Sequence, residues 1–291
     1  MARTAPSERR QLDLFSCIPE PSGIRDYQDL MAFPFFSLAK GRRIKSLLYD
    51  RDGVTIRVEA VPEYGMATIW DADVLIWAAS QIMDARNRGA STSRLLRFMP
   101  HQFLRFAGRP TGKLGYERFR AALDRLQSTT VQTNLRAEVP ASDATDGRQR
   151  KARRLHRFSW INEWSELTVG GTTRGMEIIL PDWFYQGIVN ERLVLAIDPA
   201  YFTLTGGIER WLYRLARKHG GRSKKGWGFT FKTLYEKSGS LARYSDFALD
   251  LRRIVEKQSI PGYELTLTRD RRNRECLQVT RCDPLRLARY S

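Results

Sequence analysis

The feature that most restricts how this chain can fold is an internal repeat: one order of elements occurs twice along its 291 residues. Val74-x-x-Trp77 opens a helix in the first half, and Ile208-x-x-Trp211 opens one in the second. A short segment ending in glycine follows each, Phe103-Leu104-Arg105-Phe106-Ala107-Gly108 and then Leu234-Tyr235-Glu236-Lys237-Ser238-Gly239. Next, Tyr116-x-x-Phe119-x-x-x-Leu123-x-x-Leu126 is echoed by Tyr244-x-x-Phe247-x-x-x-Leu251-x-x-Ile254. Steps of 3, 4 and 3 residues mark one stripe of an α-helix. Any two amphipathic helices share such a stripe, so the weight rests on the common element order and on the glycine before each last helix.

Helix, short helix, longer helix and β-hairpin is the order of a winged-helix unit, whose third helix fits the major groove and whose hairpin loop reaches the flanking phosphates. The expected fold is therefore α+β, two tandem winged-helix domains behind a mobile N-terminal tail. Residues 1–30, interrupted by Pro6, Pro19 and Pro21, are assigned to the tail; residues 31–200 form the first domain and residues 201–291 the second. Within the first, Val54–Val58 reads as a strand after the turn Asp52-Gly53. Asp71 is placed to cap the helix that carries Val74, Leu75, Trp77, Ala78 and Ile82, and Pro181 starts a short helix with Trp183, Phe184 and Ile188.

A net charge of +17 and a pI near 10.2 point to a polyanionic partner, nucleic acid first and an anionic membrane surface second; the helix and wing pattern makes that nucleic acid double-stranded DNA. No apolar run is long enough to span a bilayer, and the N-terminus lacks the apolar stretch of a secretory signal, so a cytoplasmic location is expected. Cys17, Cys276 and Cys282 are odd in number and scattered, which fits a reducing compartment without disulfides. His101, His156 and His219 share no ligand spacing, so neither a metal, a cofactor nor a catalytic centre is expected.

The basic residues gather where helix and wing would meet a duplex. Lys113, Arg118, Arg120 and Arg125 lie on or beside the first third helix, with Arg118 and Arg125 turned away from its apolar stripe. Its wing is expected between strands Val131–Leu135 and Phe158–Trp164, in a loop carrying Arg150, Lys151, Arg153 and Arg154. In the second copy Arg243, Tyr244, Arg253 and Lys257 mark the helix, and Lys224 and Lys225 belong to a further basic loop. The second wing joins Glu264–Thr268 to Cys276–Val279 through Arg269-Asp270-Arg271-Arg272-Asn273-Arg274, whose four arginines would repel one another without a polyanion. A single arginine is as readily a solvated surface charge; the clusters carry the argument. Most such contacts go to phosphates and set affinity, while a few read base edges.

At the N-terminus, Gln11-Leu12-Asp13-Leu14-Phe15 matches the pentapeptide by which bacterial proteins dock on the replicative sliding clamp, with Leu14 and Phe15 in an apolar cleft and Gln11 in a polar one. The alternative is that Leu12, Leu14 and Phe15 pack back on the first domain.

Ala32-Phe33-Pro34-Phe35-Phe36-Ser37-Leu38-Ala39-Lys40 and Tyr64-Gly65-Met66-Ala67-Thr68-Ile69-Trp70-Asp71-Ala72-Asp73-Val74-Leu75-Ile76-Trp77 resemble the plasmid replication initiator protein A family. The resemblance implies a bacterial initiator with tandem winged helices that binds repeated origin sites (iterons) and recruits host replication proteins, including helicase-loading proteins. It also implies a homodimer when the protein represses its own gene. Two enzymatic alternatives fit poorly. A rolling-circle nickase needs a His-x-His pair, and an ATP-driven initiator needs a phosphate loop that Gly108-Arg109-Pro110-Thr111-Gly112-Lys113-Leu114 does not match. A transcriptional repressor built on the same two units is the remaining alternative.

Overall fold

The computed structural model describes residues 14–136, 154–190, 193–220 and 226–282. The chain enters through strand β1 (Leu14–Ser16), β2 (Arg25–Tyr27) and helix α1 (Gln28–Ala32). A hairpin of β3 (Leu47–Arg51) and β4 (Val54–Glu59) follows, turning on Asp52 and Gly53 in the left-handed region with φ of 54° and 78°. Helix α2 (Ala72–Asn87), β5 (Leu95–Phe98), α3 (Pro100–Phe106) and α4 (Lys113–Ser128) come next. They lead into β6 (Thr130–Thr133), β7 (His156–Ser159), β8 (Glu163–Val169), β9 (Thr172–Ile179), α5 (Asp182–Val189) and β10 (Val194–Ala196). After a 3-10 turn at Pro199–Thr203, the last part holds α6 (Gly207–His219), β11 (Trp227–Thr230), α7 (Phe231–Ser238), α8 (Tyr244–Lys257), β12 (Tyr263–Arg269) and β13 (Glu275–Arg281).

The strands form sheets ordered β1-β5-β9-β8, β3-β4-β6-β7 and β11-β13-β12, with β10 paired to β2. The repeat is visible in two of them. In each, the short strand between the first two helices pairs with the second arm of the hairpin, β5 with β9 and β11 with β13, and the first arm lies outside. Gly108 and Gly239 sit just past α3 and α7 with φ of 63° and 60°, a left-handed stop that a side chain disfavours. Among the described residues, the sheet β3-β4-β6-β7 has no counterpart in the second copy. Its last two strands are inserted between α4 and the hairpin of the first.

Helix α2 is buried on nearly every face, polar residues included, which a single apolar stripe does not disclose. Gln81 accepts from Ile18 N at 3.0 Å and donates to Ile18 O at 2.8 Å. Ser80 accepts from Arg25 N at 2.8 Å, and Asp84 accepts from Ser22 N at 3.0 Å. The proline-broken stretch between β1 and β2 is therefore fixed in place, its backbone groups at Ile18, Ser22 and Arg25 satisfied by side chains of α2. The expectation of a mobile tail fails for residues 14–30. β1 runs parallel to β5, and Phe15 is buried in the core. Gln11, Leu12 and Asp13 lie outside the described residues, but Phe15 would have to leave this core, and β1 its partner strand, to dock on a clamp. Asp71 immediately precedes α2, at the cap position, yet its carboxylate accepts from Thr68 N at 2.8 Å and from Arg125 instead of capping the helix.

One hydrophobic core runs through both copies. Trp77 meets Phe98 edge-on at 4.6 Å and Phe103 stacks on Phe119 at 4.6 Å in the first, while Trp211 meets Phe247 at 6.1 Å in the second. Buried ions join the two. Arg214 of α6 donates from Nε to Asp26 Oδ2 at 2.6 Å and from Nη2 to Oδ1 at 2.9 Å, and both side chains are almost fully enclosed. Burial works against the charge on Arg214, and the neighbouring Asp26 outweighs it, so the guanidinium is held above its ordinary value. One turn earlier Arg210 donates to both oxygens of Asp73, at 2.8 and 3.0 Å. Gly207 lies so close to Leu38 that an added Cβ would stand 1.9 Å from its carbonyl oxygen. The segment after residue 200, expected to be separate, is seated on the first 75 residues by these contacts.

Removing one partner of such a pair strands a charge in the core, which costs about 3–5 kcal/mol, whereas replacing both with apolar groups is close to neutral. Denaturant unfolding of purified Asp26→Ala should show a loss of about 3–5 kcal/mol, with most of it recovered in Asp26→Ala/Arg214→Met. A single variant as stable as the parent would contradict the assignment.

Candidate nucleic-acid interface

The third helix of each copy turns its apolar stripe inward: Phe119, Leu123 and Leu126 of α4 and Phe247, Leu251 and Ile254 of α8 are buried. What remains outward differs sharply between the copies. On α4, Lys113, Glu117 and Arg118 are exposed, and Lys113 and Arg118 form no ion pair among the described residues. Arg120 turns sideways and grips Glu166 of β8 through two bonds of 2.7 Å, assisted by Thr173. That hydrogen-bonded guanidinium holds the Glu166 carboxyl below the usual carboxylate range. Arg125, expected to point outward, folds onto Asp71 through bonds of 2.8 and 2.7 Å. Arg109 packs 5.2 Å from the Phe103 ring centroid and donates to Asp73 at 2.8 Å. These three arginines brace α4 and its surroundings, because acidic partners (Glu166, Asp71, Asp73) were brought to them by the fold and not by sequence proximity.

The hairpin of the first copy is also not where it was expected. β6 and β7 pair, but in the inserted sheet, and the basic loop between them, including Arg150, Lys151 and Arg153, lies outside the described residues. Arg154 at its edge is exposed. The arms equivalent to the second hairpin are β8 and β9, joined at Gly170-Gly171 with φ of 56° and 74°. Its tip, Thr168-Val169-Gly170-Gly171-Thr172-Thr173, carries no charge. The expectation failed because the insertion supplied an earlier pair of strands with a basic loop, and element order alone could not distinguish the two.

The second copy leaves more of its cations exposed and unpaired. Arg243 precedes α8, Lys257 ends it, and both are exposed. Tyr244 is half exposed, its ring 5.6 Å from Tyr235. Arg253 is exposed and 3.5 Å from Asp250, while Arg252, not singled out from sequence, is tied to Glu275 of β13 by bonds of 2.8 and 2.6 Å. At the β12–β13 tip Asp270 organises the turn. Its carboxylate accepts from Arg272 N and Arg274 N, each at 2.9 Å, and from Arg274 Nε at 2.7 Å. The bond from the Arg274 side chain holds that carboxyl below its ordinary value. Arg269 donates to Asn273 O at 3.0 Å. The side chains of Arg271 and Arg272 are exposed and have no partner among the described residues. Lys224 and Lys225 lie outside the described residues.

Helix α8 and the arginine tip are thus held by one rigid scaffold, β13 being bonded both to the hairpin and, through Glu275, to α8. A helix with cations at both ends, beside a cationic hairpin, is the shape that a duplex accepts: helix in the groove, arginines on the backbone. Among the described residues no cluster of His, Cys, Asp and Glu could hold a metal ion, and no helix is long and apolar enough to cross a membrane.

Comparison with known proteins places the chain among replication proteins. The family model of replication initiator protein A matches residues 25–265. The "Putative replication protein" of Wigglesworthia glossinidia brevipalpis is 33% identical over 239 residues, covering 81% of this chain and 82% of its own. Among solved structures, domains 2 and 3 of RctB superpose with a TM-score of 0.61 at 13% identity, covering 87% of this chain and 98% of that one. A second structure of RctB domains 2–3 gives 0.56 at 14% identity, over 90% and 100% of the two chains. The RctB likeness is one of fold.

If Arg271 and Arg272 meet phosphates, replacing both with alanine should weaken duplex binding and flatten its dependence on salt by about two units of log K per log [salt]. Fluorescence anisotropy across a salt series measures both. Arg125→Ala, by contrast, should lower the melting temperature by breaking the contact with Asp71, at little change in that slope.

Proposed function

This chain belongs to the replication initiator protein A family, and we propose on that basis that it starts plasmid replication by binding repeated origin sites in double-stranded DNA through two winged-helix units. It acts by binding and by gathering host replication proteins, without catalysing a reaction itself. The observation that carries this reading is the recurrence of one unit, including sheet order β5-β9-β8 and β11-β13-β12, in a chain of net charge +17. A winged-helix unit needs a three-helix body, a strand between its first two helices and a hairpin after the third, and both copies supply them in that order.

The division of labour follows from the surfaces. The second unit, with free arginines at its hairpin and cations at both ends of α8, supplies the tighter grip on the backbone. The first, whose arginines near α4 are largely engaged in ion pairs, presents Lys113 and Arg118 and relies on its rigid attachment to the second for register. Two units on one body favour two successive groove segments, which a directly repeated site offers.

Hydroxyl-radical footprinting of the purified protein on its plasmid's origin should protect a series of equal, directly repeated sites beside an AT-rich stretch. Protection confined to one promoter palindrome would contradict the proposal and favour a repressor.

A further inference from the structure

Leu249 is an exposed leucine in the middle of α8, with 45% of its surface open to solvent. It lies on the face opposite Phe247, Leu251 and Ile254, one turn after Ser245 and Asp246 and one turn before Arg252 and Arg253. A lone surface leucine is ordinary. This one stands at the centre of the face that the proposed DNA contacts surround. Arg243 and Lys257 mark the two ends of the helix, and the arginine tip of β12–β13 belongs to the same sheet that holds α8. Its longer neighbours are drawn aside, Arg252 to Glu275 and Arg253 towards Asp250, so the leucine is not covered by either. The matching position on α4, two residues after Phe119 as Leu249 is after Phe247, is Ala121. There the outward leucine is Leu114, at the helix start.

We propose that Leu249 reads a thymine by packing on its 5-methyl group, and so sets part of the site preference of the second unit. The inference rests on the DNA-binding reading above. If the ends of α8 and the hairpin hold phosphates, the middle of its outer face meets base edges. The apolar group that base edges offer in the major groove is the thymine methyl. On the helix face around Leu249 its neighbours one turn away are Ser245, Asp246, Arg252 and Arg253, all polar or charged. Ser245 and Asp246, one turn earlier, are able to bond polar edges of neighbouring bases.

The experiment uses the full chain and a duplex selected by it from a random pool. Each thymine of that duplex is replaced in turn by deoxyuridine, which removes the methyl group and nothing else. For the parent protein one such replacement in the segment bound by α8 should weaken binding about fourfold, the value of one buried methyl-sized group. Leu249→Ala should bind the thymine duplex more weakly by a similar factor and lose nothing further with deoxyuridine at that position. Leu114→Ala should keep the parent's sensitivity there. Circular dichroism of Leu249→Ala should match the parent, because the side chain supports no core. Equal sensitivity of the parent and Leu249→Ala at every thymine overturns the inference while leaving DNA binding intact. If no duplex is selected at all, the DNA-binding reading fails, and this inference with it.

Discussion

Two buried carboxylates, Asp26 and Asp73, hold the architecture together. Each sits near the start of the chain, fully enclosed, and each accepts an arginine from successive turns of α6, some 137 to 188 residues further on. Asp73 also receives Arg109, and its neighbour Asp71 receives Arg125. A line of ion pairs therefore runs from α4 through the start of α2 to α6. Buried charges of this kind add little net stability, because desolvation offsets their attraction, but they penalise any arrangement in which a partner is missing. Their effect here is to fix one docking of the two units: a shift of α6 by a turn would leave Arg210 and Arg214 facing the wrong acids or none.

Within that fixed docking the two copies share a frame but differ in what their surfaces carry. In the first, Arg109, Arg120 and Arg125 are engaged by acids of the fold, and the β8–β9 tip carries no charge. In the second, the hairpin kept four arginines around one organising aspartate. On the proposed reading, one strongly cationic arm is enough to anchor the body on a duplex, since the units are fixed to each other and the other helix is carried to its position. Two independent units on a flexible linker would each need their own grip.

Much of this was legible in the sequence because helical spacing and glycine stops are local signals. The stripes Phe119, Leu123, Leu126 and Phe247, Leu251, Ile254 are buried as their spacing requires, and Gly108 and Gly239 adopt the left-handed turns. The arginine tip at residues 269–274 was equally plain. What escaped depended on distant partners. Nothing near Arg120 or Arg125 announces Glu166 or Asp71, so both arginines read as free cations. Residues 14–30 read as a tail because their strands are three residues long and pair with distant β5 and β10, while the stretch between them is held by Ser80, Gln81 and Asp84. The first hairpin was misplaced by an insertion, since pairing order in a sheet is not written in the order of the chain. Leu249 could have been found from helical phase alone, being out of step with the buried stripe.

The central claim is that the two third helices belong to one rigid body. Spin labels at Glu117→Cys on α4 and Glu256→Cys on α8, both exposed sites, in a chain whose three native cysteines are replaced, give the distance between them by double electron–electron resonance. The account predicts a single narrow distribution in the free protein, preserved when a duplex is bound. A broad distribution in the free protein, of the kind produced by two domains on a loose tether, would contradict it.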